Sequence, residues 1–317
     1  MKTEKRVEKA GRKLLALTMV FALSVGVGTG AVNKTTPSRA SVEVKPYIAF
    51  GASLKENEKQ KVMNLLGVSS AELADYEVIK VTNEEEHERL DRYIDKSVIG
   101  TRALSSVKIE EADAGTGIHV TTKNINFCTE AMYVNALSTA GFEDAEVTVA
   151  GPFPLSGTAA LVGAIKAYGE MQGEVVEEGT FDTAIDELVT TGDLVDTLGA
   201  DKSAQLIAVV KNAVVEGSLT TDADILKAIE DGADKVGVKL SDEDKQDVAA
   251  LMKKISALDL DVSDLEKSAQ SVYDALEDAG IDLEEAKGWF SKILSSIGDF
   301  FAGIGRAIGD FFASIFS

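Results

Sequence analysis

The chain has 317 residues, with 32 Lys/Arg against 53 Asp/Glu and a net charge of −21. Binding a phosphate backbone needs clustered cations, so this balance excludes nucleic acid as a partner and disfavours anionic lipid. Cys128 is the only cysteine, which excludes an internal disulfide, so the fold must rest on an apolar core.

Residues 1–40 have the layout of a secretory signal peptide. "MKTEKRVEKAGRK" is a basic leader, Leu14 to Val27 is almost entirely apolar, and Ser38-Arg39-Ala40 supplies small residues where a signal peptidase reads. Ala31 is a second cleavage candidate, and no cysteine follows the apolar run to carry a lipid. The mature protein is therefore expected to be secreted, extracellular or associated with the cell envelope. Cleavage would leave 24 basic and 51 acidic residues, a net charge of −27 that keeps an exported protein soluble.

Residues 41–172 alternate between element types, as an α/β-layer domain does. "YIAFGAS" reads as a strand. Ser53 and Glu56 have capping-box spacing before a helix in which Val62, Leu65 and Leu66 share a face and which Gly67 ends. "YEVIKVT" is a second strand, and Asn83 with its acidic followers opens another helix, since carboxylates suit the positive end of the helix dipole. "LSSVKIEEADAGTGIHVTT" predicts two strands joined by a turn at Gly115-Thr116-Gly117. A helix capped by Thr129 and closed by Gly141 follows, then the strand "AEVTVA". "GPFP" is an extended connection, because a residue before proline avoids helix, and "TAALVGAIKAYGEM" is a helix.

A boundary is expected near "EMQGEVVEEGT". Residues 173–283 then form a helical region whose five apolar-periodic stretches start at Asp, Ser or Thr and mostly end at Gly. They have no fixed repeat period, so they predict a bundle and not a solenoid. The fold class is thus α+β.

"NINFCTEAMYVNALSTAGFEDAEVTVAGPFPLSGTAALVGAIKAY" resembles an uncharacterised family of exported Gram-positive bacterial proteins, the one that includes the Bacillus protein YpuA, with "PFP-x-SGTAAL" its most specific segment. The resemblance runs from about Tyr47 to Gly280. It implies export and a domain layout, and it carries over no catalytic residue.

The residues themselves offer little chemistry. A nucleophile elbow needs glycine two residues before and after its serine, and around Ser156 those positions hold Pro154 and Thr158. Ser156 is instead expected to cap the next helix, with the amides of Ser156, Gly157 and Thr158 as a weak anion site. Cys128 reads as a small buried hydrophobe. One cysteine and two distant histidines, His87 and His119, make no metal set. "DLDVSDLE" fails as a calcium loop, since Asp264 stands at its glycine position and Gln270 at its bidentate glutamate. No cofactor is expected.

The C-terminal segment 284–317 is the strongest functional signal. "IGDFFA" begins at Ile297 and again at Ile308, eleven residues apart, which is three helical turns. As a helix it gathers Phe290, Ile293, Leu294, Ile297, Phe300, Phe301, Ile304, Ile308, Phe311, Phe312 and Ile315 on one side, opposite Lys292, Asp299, Arg306 and Asp310. Recurrent charges argue against spanning a bilayer. Residues 286–317 suit a membrane surface, a protein groove or self-association, or they cover the bundle. The function expected is a non-enzymatic binding or structural module of the envelope. The alternative is an envelope hydrolase, which requires a concave polar site near the "PFPLSG" loop.

Overall fold

The computed structural model describes residues 45–173 and 175–278; the proposed signal peptide and the amphipathic C-terminal segment lie outside them. In chain order the first elements are β1 (Tyr47–Gly51), α1 (Glu56–Leu66), β2 (Glu77–Val81), α2 (Asn83–Leu90) and α3 (Lys96–Ile99). Then come β3 (Ser106–Glu111), β4 (Ile118–Ile125), α4 (Glu130–Thr139), β5 (Ala145–Leu155) and α5 (Thr158–Gln172). The rest is helical: α6 (Glu178–Asp193), α7 (Val195–Leu198), α8 (Ala200–Glu216), α9 (Asp222–Val236), α10 (Asp242–Ile255) and α11 (Val262–Asp278). The architecture is α+β, with the sheet N-terminal to most of the helices.

The five strands form one mixed sheet in the order β2-β1-β3-β5-β4. β1 and β2 are parallel, as are β4 and β5, while β3 runs antiparallel to β1 and β5. Each parallel pair is joined through a helix, α1 or α4, because a tight turn cannot reverse the chain far enough to make parallel neighbours. A turn stands between β3 and β4, closed by the Thr116 N–H donating to Asp113 O, but the two strands do not pair: β5 lies between them. Alternation identifies a strand and says nothing of its partner.

The period-2 pattern divides the sheet into two faces. Ala49, Val107, Ile109, Val147 and Val149 lie in the core shared with α4 and α5, while Ile48, Phe50 and Ala150 pack against Val62, Met63 and Leu66 of α1. Fully burying such a side chain stabilises the fold by about 1.5–3 kcal/mol.

Both helices start where expected, at Glu56 and Asn83, but the expected Ser53–Glu56 capping box does not form. α1 begins at Glu56 with Lys55 as its cap residue, whose N–H donates to Glu58 Oε2 at 2.8 Å. The Ser53 N–H donates to Ala103 O and so is not available to the Glu56 side chain for a reciprocal box. α2 is capped by Thr82, one residue before Asn83, in a reciprocal pairing with Glu85. Gly67, Thr129 and Gly141 stand where their helices end or begin, as expected.

The core does not stop at residue 172. Phe181, Ile185, Leu188 and Ala204 belong to the same apolar cluster as the sheet, joined by Val272 and Leu276 of α11. A second cluster lies among α8, α9 and α10, around Leu206, Val210, Ile229, Leu251 and Ile255. Between α4, α6 and α8, Lys211 Nζ and Glu187 Oε1 are 2.8 Å apart with both side chains buried. Lys211 also donates to Asn135 O, Ser138 Oγ and Thr139 Oγ1, and Thr139 donates to Glu187. Among the described residues no helix is long and apolar enough to cross a membrane.

Candidate functional site

The "PFPLSG" segment forms one wall of a cleft, and a register slip in the sheet puts it there. Lys123 faces Ala150 and Ile125 faces Leu155, so residues 151–154 have no partner on β4. Asn124 absorbs the slip with φ 58°, a left-handed conformation that Asn tolerates, and its side chain holds Gly151 O at 3.0 Å. Pro152 and Pro154 lack N–H groups and lose nothing by leaving the ladder. Phe153 is thereby left 44% exposed.

The cleft has a volume of about 490 Å³. Its other walls come from Glu86 of α2, the segment 98–105, and Asn126 and Phe127 just after β4. The concave polar site that the hydrolase alternative requires is therefore present, and its chemistry turns on which groups are committed to the fold.

Glu86 is the central group, with only 2% of its surface exposed. Its Oε1 accepts from Thr158 Oγ1 at 2.6 Å and its Oε2 from Asn83 Nδ2 at 3.4 Å; the Ala159 N–H donates to the same carboxylate. Burial pushes its pKa up, against the lowering pull of those donors. Helix α5 thus carries its own carboxylate at the positive end of its dipole, where the amides of Ser156, Gly157 and Thr158 were expected to draw an outside anion.

Ser156 does not cap α5. The cap position is Gly157, with φ 99° and no side chain to offer, and the Ala160 N–H is taken by Ser105 Oγ at 2.9 Å. Ser156 Oγ lies 3.1 Å from Thr158 Oγ1 instead. Only glycine suits position 157, where φ is left-handed and a Cβ would stand 2.6 Å from the Tyr133 hydroxyl, which donates to Gly157 O at 2.7 Å. The buried tyrosine leaves room for glycine alone, so the serine ahead of it is one residue too early to cap.

The remaining nucleophile and base candidates are occupied. Cys128 is buried, and burial pushes its thiol up to about 12, far from the thiolate that chemistry needs. His87 places Nδ1 2.5 Å from Asp91 Oδ1 and Nε2 2.8 Å from Gly100 O. These partners, the Asp91 hydrogen bond foremost, raise its pKa. His119 lies on β4 opposite Glu146 and does not line the cleft. Among the described residues no cluster of His, Cys, Asp and Glu could hold a metal. Asp261, the third residue of the rejected calcium loop, accepts from the Ser263 N–H at the start of α11. The eleven tail positions from Phe290 to Ile315 lie outside the described residues.

Glu86 and Ser105 went unseen in the sequence. Glu86 sits in an acidic first turn that reads as a solvated helix face, and Ser105 caps a helix 55 residues further on. No local spacing signals either one.

Residues 50–272 match the model of a family described as "Protein of unknown function (DUF1002)". The chain is 39% identical over 262 residues to the uncharacterized protein YpuA of Bacillus subtilis (strain 168), covering 81% of this chain and 86% of that one. No solved structure matches it. By the match of its sheet, its cleft and most of its helical region, the chain belongs to the DUF1002 family.

Proposed function

We propose that this chain is an exported cell-envelope protein that binds a ligand and does not catalyse its conversion. The observation that carries this reading is the cleft beneath residues 152–156: it is large enough for a ligand, yet its acid–base groups are engaged in holding the fold. Glu86 secures the first turn of α5, and His87 spends both ring nitrogens on its own neighbourhood. The basic and apolar layout of residues 1–40 supports export, and the amphipathic face of residues 286–317 supports contact with a membrane surface or a partner groove.

The test is to fractionate cells into cytoplasm, membrane, wall and medium with an antibody against the mature protein. The protein is expected outside the cytoplasm, and a chain ending at Leu283 is expected to shift from membrane to medium. Retention of the intact chain in the cytoplasm would overturn the export reading.

A hydrolase centred near the same loop has one observation in its favour. Thr158 donates to Glu86, so its oxygen is free to accept from Ser156 Oγ 3.1 Å away, forming a chain from serine to carboxylate. A serine-reactive fluorophosphonate that labels the wild type and not Ser156→Ala would favour that reading.

A further inference from the structure

We propose that the cleft beneath residues 152–156 binds an uncharged carbohydrate, with a sugar face on Phe153 and its hydroxyls bonded to Ser156, Ser105 and Asn126. This rests on the reading of the protein as a binding module and names its ligand class. The volume of about 490 Å³ lies in the range of roughly 300–1,000 Å³ typical of small-ligand sites.

Electrostatics decides against a charged ligand. Among the described residues the one guanidinium lining the cleft, that of Arg102, is committed: Nη2 is 2.5 Å from Glu58 Oε2 and 2.8 Å from Ser53 O, and Nη1 is 3.3 Å from Glu58 Oε1. The one carboxylate among the described lining residues, Glu86, is almost fully buried and already accepts from Thr158, Asn83 and Ala159. Among the described lining residues an anion would meet no free cation and a cation no free carboxylate, and the net charge of −21 disfavours an anion further. Taking an unpaired charge out of water is costly, so a neutral ligand is the one that fits.

The uncharged groups select for hydroxyls. Serine hydroxyls and the asparagine amide each donate and accept, as do the neighbouring hydroxyls of a sugar. Ser105 accepts from the Ala160 N–H and keeps a proton to donate. A purely apolar ligand such as an acyl chain would strip water from these groups and offer nothing in return. Phe153 provides the complementary surface: the face of an aromatic ring is negative and attracts the slightly positive C–H groups on one side of a pyranose. Phe153 stands 44% exposed at the rim, where the register slip holds it.

The test is an array of neutral, anionic and cationic oligosaccharides probed with the full chain, followed by calorimetric titration of the neutral glycan that is retained best. Saturable binding of a neutral glycan is expected, weakened about tenfold by Phe153→Ala and weakened also by Asn126→Ala. Both side chains are exposed, so the melting temperatures of the variants should match the wild type. Retention of charged glycans alone, retention of none, or equal binding by Phe153→Ala would overturn the proposal. Cleavage of the bound glycan, seen as new reducing ends, would keep the site and overturn the non-catalytic reading. Cytoplasmic retention in cells would overturn export and leave the site standing.

Discussion

The Thr158 hydroxyl donates to Glu86 Oε1 at 2.6 Å across 72 residues of sequence, so the first turn of α5 is tied to α2. Glu86→Ala leaves the Ala159 N–H and the Thr158 hydroxyl buried without their acceptor and should cost about 1–3 kcal/mol. Ser105→Ala removes the side-chain acceptor of the Ala160 N–H, leaving it only Gly157 O at 3.0 Å, and should cost about 0.5–2 kcal/mol. Ser156→Ala should stay within about 0.5 kcal/mol of wild type. Urea unfolding of the three variants gives the order, and a Ser156 effect as large as that of Ser105 would contradict it.

His87 ties this end of the cleft to pH. Asp91 and the Gly100 carbonyl both accept, so the ring donates from both nitrogens and is the imidazolium when both bonds are made. Its folded pKa is raised above the ordinary 6.5, chiefly by the hydrogen bond to Asp91. A raised folded pKa means stability that is complete below the unfolded value and disappears as pH rises through the folded one. His87→Gln should therefore cost more at about pH 5.5 than at about pH 8.5, as read from thermal unfolding at the two values.

The buried Lys211–Glu187 pair should behave asymmetrically. Burial pushes the lysine down and the carboxyl up, and the 2.8 Å contact with the surrounding hydrogen bonds offsets that cost. Lys211→Met alone strands a buried carboxylate and should cost about 3–5 kcal/mol. Adding Glu187→Leu should recover most of that loss, because removing both charges removes both desolvation penalties. Guanidinium unfolding of the single and double variants closes the cycle.

Cys128 should be inert in the folded protein. Its thiol is buried and pushed up to about 12, so a maleimide near neutral pH should leave the native chain unlabelled and label it once urea has unfolded it. Rapid labelling of the native state would show a reactive thiol and reopen the question of nucleophilic chemistry.

The tail makes a prediction of the opposite kind. If residues 286–317 contact a membrane or a partner, truncation after Leu283 should leave the melting temperature nearly unchanged while abolishing liposome binding. If the segment covers the bundle, truncation would uncover apolar surface at about 25 cal/mol per Å² and the protein would melt much lower or aggregate.

Much of the fold was legible one residue at a time. Gly67 and Gly141 end helices in left-handed conformations, and Thr129 caps α4 by accepting from the Met132 N–H at 3.2 Å. These are contacts within a turn of chain, so a short stretch of sequence contains everything that decides them. The strands at 47–51, 77–81, 106–111 and 118–125 were legible for the same reason, since alternation is a local property.

What joins distant segments was decided by tertiary structure. Alternation marked β3 and β4 as strands with a turn between them, yet β5 separates them, because the α4 crossover makes β4 and β5 parallel neighbours. Ser156 has the residue type and the place of a cap, but the Tyr133 hydroxyl leaves space only for glycine at the turning residue, and Ser105 takes the amide from another element. Glu86 lies among acidic neighbours that meet solvent, and only the packing of α2 against the start of α5 buries it. A chain can specify its caps and alternation through neighbours alone. Strand order, a cap from 55 residues away and a buried carboxyl depend on which surfaces bury one another, and that is a property of the whole core.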